Sequence, residues 1–329
     1  MKVLIIGCGA ISEMFHIPAA IKLLGIENVF VVETSIEQLY KIQTKFNLSH
    51  CSDDMSAFIE EIDFCIVATP PHTHLNILKK CLEFKKPVLC EKPITLNYSE
   101  SKELIELQKN SGVLIALCHS YRFFPNRNYI RKQIQDGYFG ENIGIEIEEG
   151  EPASWQSVSG YNFRKELVPG GVLLDAGIHS LDFLLWCLGK PISYSYQDDS
   201  LGGLESNCEL HLEFKNGGKA CFKLSRTHNF LNSIKVKGSL NQSELPIFEM
   251  TKVIENSSTE KLIDSEVLVD WSNLAEVQLQ NFIDSLHNQD QVKCDLLAGT
   301  DLIEIIEAFY QLKKQRPMPK IALLPGELF

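Results

Sequence analysis

The sequence predicts an α/β chain: an N-terminal doubly wound parallel sheet, followed by an α+β domain with a largely antiparallel, open sheet. Three observations lead there. Short apolar runs alternate with amphipathic stretches through the first 120 residues. A glycine turn, Gly7-Cys8-Gly9, stands directly behind the first of those runs. Beyond it the texture changes to alternating strands, with a hairpin signal at Asn216-Gly217-Gly218.

Buried parallel strands are expected at 3–6, 29–32, 64–68, 88–90 and 113–118. Each is continuously apolar, as a sheet covered on both faces requires. Helical patterns fill the intervals at 11–24, 36–46, 73–84 and 98–109. In the second half, strands are expected at 143–149, 208–214, 219–224, 233–236 and 247–253, with late helices at 274–287 and 302–312 packed in the ordinary way. The division into domains 1–120 and 121–329 falls near residues 119–122.

At 329 residues, 44% of them hydrophobic, the chain has ample material for two cores. A net charge of −12 argues against a nucleic-acid surface. The ten cysteines show no C-x-x-C spacing and mostly sit in apolar runs, which suits reduced thiols and a cytoplasmic protein. No apolar run reaches the ~20 residues of a membrane span, and the start of the chain breaks at Gly7, too early for a signal peptide. No membrane association is expected.

Gly7-Cys8-Gly9-Ala10-Ile11-Ser12 joins the first strand to the first helix. Gly7 permits a tight turn, Gly9 lets a pyrophosphate approach the backbone, and the amides of Ala10, Ile11 and Ser12 open the helix. Ser12 replaces a third glycine and is small enough for close packing. Glu33 ends the second strand, where a carboxylate accepts hydrogen bonds from ribose hydroxyls and repels a 2′-phosphate. NAD is therefore favoured over NADP, which stays possible. Thr69 and Pro70 follow the 64–68 strand and face the glycine loop across the switch point. His74 is placed to touch the nicotinamide ribose, with His72 solvated. The two histidines point apart, and no metal is expected.

Glu91-Lys92-Pro93 follows the 88–90 strand and puts Lys92 at the carboxyl edge of the sheet, beside the cofactor crevice. A helix is expected from about 172 to 188, stopped by Gly189. It is apolar on most of its surface, yet Asp175, His179 and Asp182 form a polar stripe along it. Gly177 inside it suggests close approach of another group. The loop 151–169 offers Trp155, Tyr161, Phe163 and Arg164, a mixture suited to a sugar ring or an anionic substituent.

In this order and spacing, the glycine motif, Thr69-Pro70-Pro71-His72-Thr73-His74, Glu91-Lys92-Pro93, Arg122 with Pro125, and Gly170-Gly171 through Asp175 to His179 resemble the Gfo/Idh/MocA oxidoreductase family. Two positions depart from it: Pro169 replaces the first of three glycines, and Ser120 stands where many members carry Asn. The resemblance implies a Rossmann domain and a second domain whose open sheet often forms the oligomer interface of a homodimer or homotetramer. It also implies catalysis by Lys92, Asp175 and His179. Glu91 and Lys92 are expected at the cofactor, and Lys92, Arg122, Trp155, Tyr161, Arg164, Asp175 and His179 at a sugar- or polyol-like substrate. The implied reaction is hydride transfer between nicotinamide and a carbinol or carbonyl carbon, with Asp175 orienting His179 and with Lys92 and His179 interchangeable as proton-transfer group. Redox-neutral NAD-using glycosidases or epimerases, imine reductases and NAD-binding sensors are the alternatives. Retention of the full proton-handling set speaks against a sensor.

Overall fold

The structure is a computed structural model and describes residues 1–152, 160–264, 269–287 and 292–314. Trp155 lies outside the described residues.

Six parallel strands, β1 (Val3–Ile6), β2 (Val29–Val32), β3 (His50–Ser52), β4 (Phe64–Val67), β5 (Val88–Cys90) and β6 (Ile115–Leu117), form a sheet in the order β3-β2-β1-β4-β5-β6. Every residue of β1, β2, β4, β5 and β6 is buried, which is why each reads as a solid apolar run. Strand β3 is half-exposed at the sheet edge and carries His, Cys and Ser, so no apolar run announced it. Helices α1 (Ile17–Leu24), α2 (Ile36–Phe46), α3 (His74–Glu83) and α4 (Tyr98–Ser111) make the crossovers. Their ends follow local chemistry. Ser35 and Asn97 cap α2 and α4 by accepting the amides of Gln38 and Glu100, while Gly25 and Gly112, both at positive φ, stop α1 and α4. The helical stretch before α1 opens with a wider π turn, Ser12–His16.

The second sheet has eight strands: β7 (Gly144–Gly150), β8 (Pro191–Asp198), β9 (Asn207–Phe214), β10 (Lys219–Ser225), β11 (Ser233–Lys237), β12 (Gln242–Pro246), β13 (Lys252–Glu255) and β14 (Thr259–Leu262). Their order is β14-β13-β12-β11-β7-β10-β9-β8, antiparallel throughout except for the β7–β10 pair. Residues of β9 and β10 alternate between core and surface, so one face packs on helices and the other stays open.

The expected strand at 247–253 is corrected. Strand β12 ends at Pro246 and β13 starts at Lys252. Between them, Ile247 and Met250 are buried by α5 (Pro125–Gln135), whose Asn126 amide donates to Met250 O at 2.8 Å and whose Arg127 Nη2 donates to Ile247 O at 2.9 Å. The apolar run belongs to a pinned loop. Helix α5 itself buries Asn126 and Arg127, so its inner face carries little apolar signal.

A π turn, Leu173–Gly177, leads into α6 (Ile178–Leu188), which Gly189 ends at φ 81°. The group that approaches Gly177 is the sheet: a Cβ there would lie 2.4 Å from Leu224 Cδ2. The last two helices, α7 (Leu274–Ser285) and α8 (Leu296–Lys314), return to the first sheet. Phe282 of α7 packs edge-on to Phe64 at 5.3 Å, and the Leu117 amide donates to Cys294 O at 2.9 Å. Among the described residues no helix is long and apolar enough to cross a membrane.

Candidate active site

The glycine loop is built by three constraints. Gly7 adopts φ 94° and donates its amide to Val32 O at 2.8 Å; a Cβ there would stand 2.7 Å from Ala68 O, so a side chain is excluded. Ser12 Oγ donates to Gly7 O at 2.5 Å and closes the turn beneath the helix. Glu33 accepts the Cys8 amide at 2.8 Å on one carboxylate oxygen and the Ser35 amide at 3.0 Å on the other. A Cβ on Gly9 would meet nothing within 4 Å, so the loop is open on that side, toward the first amides of the helix. An acidic strand end beside an open glycine cradle fits the adenosine ribose and pyrophosphate of a dinucleotide.

Thr69 lies against this loop, its Cγ2 being 2.8 Å from the position of a Gly7 Cβ. The expectation that His74 touches the ribose is corrected. His74 is fully buried, its Nε2 faces Thr69 O at 2.9 Å, and its Nδ1 faces Pro93 O at 3.0 Å and Ile94 O at 3.2 Å. The ring is packed between the Thr69 loop and the turn after Lys92, and as a neutral imidazole it donates its one N–H to a carbonyl on one side. His16, on the π turn, was missed by sequence reasoning and meets Glu91 Oε1 at 2.9 Å. Burial alone would raise the Glu91 carboxyl, but the hydrogen bond and charge of His16, with the charge of Lys92, hold it below the usual glutamate value.

Lys92 precedes a cis proline, and its ammonium donates to the main-chain carbonyl of Asp175 at 2.6 Å. It also stands 3.8 Å from Asp175 Oδ1. The end of β5 and the turn before α6 thereby meet. His179 is half-buried, stacked on Tyr121 at 5.0 Å between centroids and edge-on to His119 at 5.8 Å. Its Nδ1 is out of solvent and has no hydrogen-bond partner among the described residues. Burial first, then the charges of Lys92 and His119, push its pKa well below the usual imidazole value, so the ring is neutral.

Asp175 does not orient His179. The 173–177 segment is a π turn, whose wider winding breaks the α-helical i, i+4 alignment. The Asp175 carboxylate turns instead to Arg226 Nη2 and Asn162 Nδ2, both at 3.3 Å. Neither Arg226 nor Asn162 was singled out from the sequence, where each looks like an ordinary loop or strand-end residue. Tyr161 is half-buried nearby, and burial followed by the charges of Asp175 and Glu91 raises its phenol. Arg164 is exposed.

Arg122 is corrected from substrate ligand to structural anchor. It is 7% exposed, and its Nε and Nη2 fork onto Asp182 at 2.8 and 2.7 Å, while Nη1 donates to Lys293 O at 2.6 Å. Each of its three nitrogens is committed to protein and the guanidinium lies 5.3 Å from the Trp186 ring, so its position is set by the fold. The partner is the third residue of the expected polar stripe, Asp182, itself 1% exposed.

A glycine cradle at the switch point of a 3-2-1-4-5-6 sheet, with an ammonium and a neutral imidazole meeting beside it, defines an NAD-binding oxidoreductase. A family model described as "Oxidoreductase family, NAD-binding Rossmann fold" matches residues 1–119, and the GFO/IDH/MocA C-terminal domain matches 128–241. The chain belongs to the GFO/IDH/MocA oxidoreductase family. It is 24% identical to D-glucoside 3-dehydrogenase of Escherichia coli over 94% of this chain and 95% of that protein. In fold it is similar to aldose-aldose oxidoreductase from Caulobacter crescentus (TM-score 0.83, 18% identity, 96% and 98% of the two chains). It is likewise similar to levoglucosan dehydrogenase in complex with NADH (TM-score 0.80, 16% identity, 94% and 96%).

Proposed function

We propose that this oxidoreductase transfers a hydride between NAD and a carbinol or carbonyl carbon of a sugar, polyol or sugar derivative. The dinucleotide, when bound, supplies the hydride acceptor or donor. Gly7, Gly9 and the amides of Ala10, Ile11 and Ser12 would hold its pyrophosphate, Glu33 its adenosine ribose, and Thr69, Pro70, Glu91 and Lys92 would border its nicotinamide end. The NAD preference rests on the Glu33 carboxylate, which would repel a 2′-phosphate.

His179 is the base in this reading: its ring is neutral and only half-buried, so a ring nitrogen turned to the crevice can take the hydroxyl proton. Lys92 keeps further N–H groups beyond the one given to Asp175 O and would donate to the developing alkoxide or carbonyl oxygen. Asp175 holds the ammonium in place rather than the imidazole. Tyr161 and Arg164 would contact the substrate from the covering loop. The molecule is read as two domains meeting near residue 120, paired into a homo-oligomer through the open face of the eight-stranded sheet. Its ten cysteines, all free in the structure, suit the reducing cytoplasm.

The observation that carries this reading is the convergence of Lys92 and the Asp175–His179 segment at the carboxyl edge of the first sheet. The test is a panel of polyols and sugars assayed with NAD and NADP by the absorbance of reduced nicotinamide. The reading requires oxidation of at least one panel member by the wild type and loss of that turnover in K92M, with dinucleotide binding retained. Wild-type turnover by K92M would sink it.

A further inference from the structure

We infer that the substrate carries a carboxylate on the same ring as the reacting carbon, and that Arg226 receives it; this rests on the dehydrogenase reading above. Arg226 directly follows β10, and its backbone amide donates to Ser206 O at 2.9 Å, so the base of the side chain is fixed. The guanidinium lies over Phe163 at 5.6 Å, and the side chain is 14% exposed. Among the described residues only Nη2 finds an acceptor, Asp175 Oδ2 at 3.3 Å. A guanidinium presents five donors in a rigid fork, and this one leaves most of its fork uncommitted in a half-buried crevice.

The surrounding charges point the same way. Lys92 approaches one oxygen of the Asp175 carboxylate while Arg226 holds the other, so two cations share one anion. Glu91 is turned to His16, and the neutral His179 adds no charge of either sign. An incoming anion would satisfy the partly desolvated N–H groups that Asp175 leaves free on Arg226, and a planar carboxylate matches that guanidinium edge with two parallel hydrogen bonds. The Asp175 carboxylate lies between Lys92, which would face the reacting oxygen, and Arg226. The anion therefore belongs on the ring being oxidised, as in a uronate, and not on a remote nucleotide diphosphate.

The test compares D-glucuronate and D-galacturonate with D-glucose and D-galactose, and with UDP-glucose as a nucleotide-sugar arm, using the enzyme and NAD. Uronates should be favoured in kcat/KM by about tenfold or more, the fold-change that leaving a partly buried donor unpaired costs. R226L should raise the uronate KM by about tenfold, with kcat changed only a few-fold, and R226K should recover part of the loss. NADH affinity, read by nicotinamide fluorescence, should not change in either variant. If neutral sugars match uronates in the wild type, or UDP-glucose is preferred to every uronate, the proposal is overturned and the dehydrogenase reading stands. The same holds if R226L affects charged and neutral substrates alike. If no sugar, uronate or nucleotide sugar is turned over, the dehydrogenase reading falls and the proposal with it. The wild-type comparison decides the matter even if R226L fails to fold.

Discussion

Lys92 and Asp175 are joined through the backbone: the ammonium donates to the Asp175 carbonyl oxygen at 2.6 Å, closer than it comes to that residue's own carboxylate. A main-chain acceptor cannot rotate away, so the ammonium is held over the crevice whatever the Asp175 side chain does. D175N should accordingly retain a well-placed Lys92 and lose less turnover than K92M, which removes a donor worth about 2.7–4 kcal/mol, or 10²–10³ in kcat, in comparable sites. Steady-state kinetics of the two variants on one substrate checks the order.

The depressed pKa of His179 gives a pH prediction. Its imidazole is held neutral by burial and by the nearby Lys92 charge, so the acid limb of kcat/KM should lie below pH 6.5, the ordinary imidazole value. Removing the ammonium in K92M should move the His179 titration upward. NMR titration of ring-labelled histidine in wild type and K92M reads the shift directly; a downward or absent movement would show that Lys92 does not act on the ring.

Asp182 and Arg122 form a buried fork in which each neutralises the other. Breaking it from one side leaves an uncompensated buried charge, so D182N or R122Q should each lower stability by about 3–5 kcal/mol. An apolar pair, R122M/D182L, should recover much of that loss. Urea denaturation of the three variants distinguishes an anchor from a substrate ligand, since a ligand's removal would leave the midpoint unchanged.

How far the site was legible depends on where each partner lay in the chain. Lys92, Asp175 and His179 sit in local patterns, a strand end and a polar stripe on an apolar helix, so sequence alone could single them out. Asp182 was visible for the same reason, but its partner Arg122 lies on another element, and an arginine's burial cannot be read from its neighbours. Arg226 gave no signal, because a cation after an alternating strand is ordinarily solvated. The core strands β1, β2, β4, β5 and β6 were legible from continuous hydrophobicity. Strand β3, at an edge, and α5, which buries Asn126 and Arg127, depend on hydrogen bonding that hydropathy does not register.

Glu149 on β7 is buried and accepts from Ser180 Oγ at 2.5 Å. Burial pushes its carboxyl from 4.5 up to about 7, against the Ser180 hydrogen bond and the charges of Arg127 and Lys92. The folded chain thus holds this proton more tightly than the unfolded one. The resulting stabilisation is fully present below about pH 4.5 and is lost as pH rises through about 7, amounting to about 3 kcal/mol. E149Q cannot ionise, so its stability relative to wild type should climb across that window. Paired urea curves at acid and mildly alkaline pH measure the difference and cancel the opposing histidine titrations.

Glu33 accepts two backbone amides, from Cys8 and Ser35, as well as facing the ribose position. E33Q keeps the shape but has a single acceptor oxygen, so one of the two amides is left facing an NH2 donor, and the repulsion of a 2′-phosphate is removed. The expected result is roughly a tenfold higher KM for NAD and a narrowed preference over NADP. Dinucleotide KM ratios before and after substitution test it.

The buried imidazole of His74 fills the space between Thr69 and the turn at Pro93 and Ile94, so the two loops flanking the coenzyme crevice pack as one platform. Adaptation to a new substrate would then fall to the opposite wall, where Tyr161 and Asn162 project from one turn and Arg226 from the end of a strand. Redesign confined to that wall should change what is oxidised without disturbing how the coenzyme is seated.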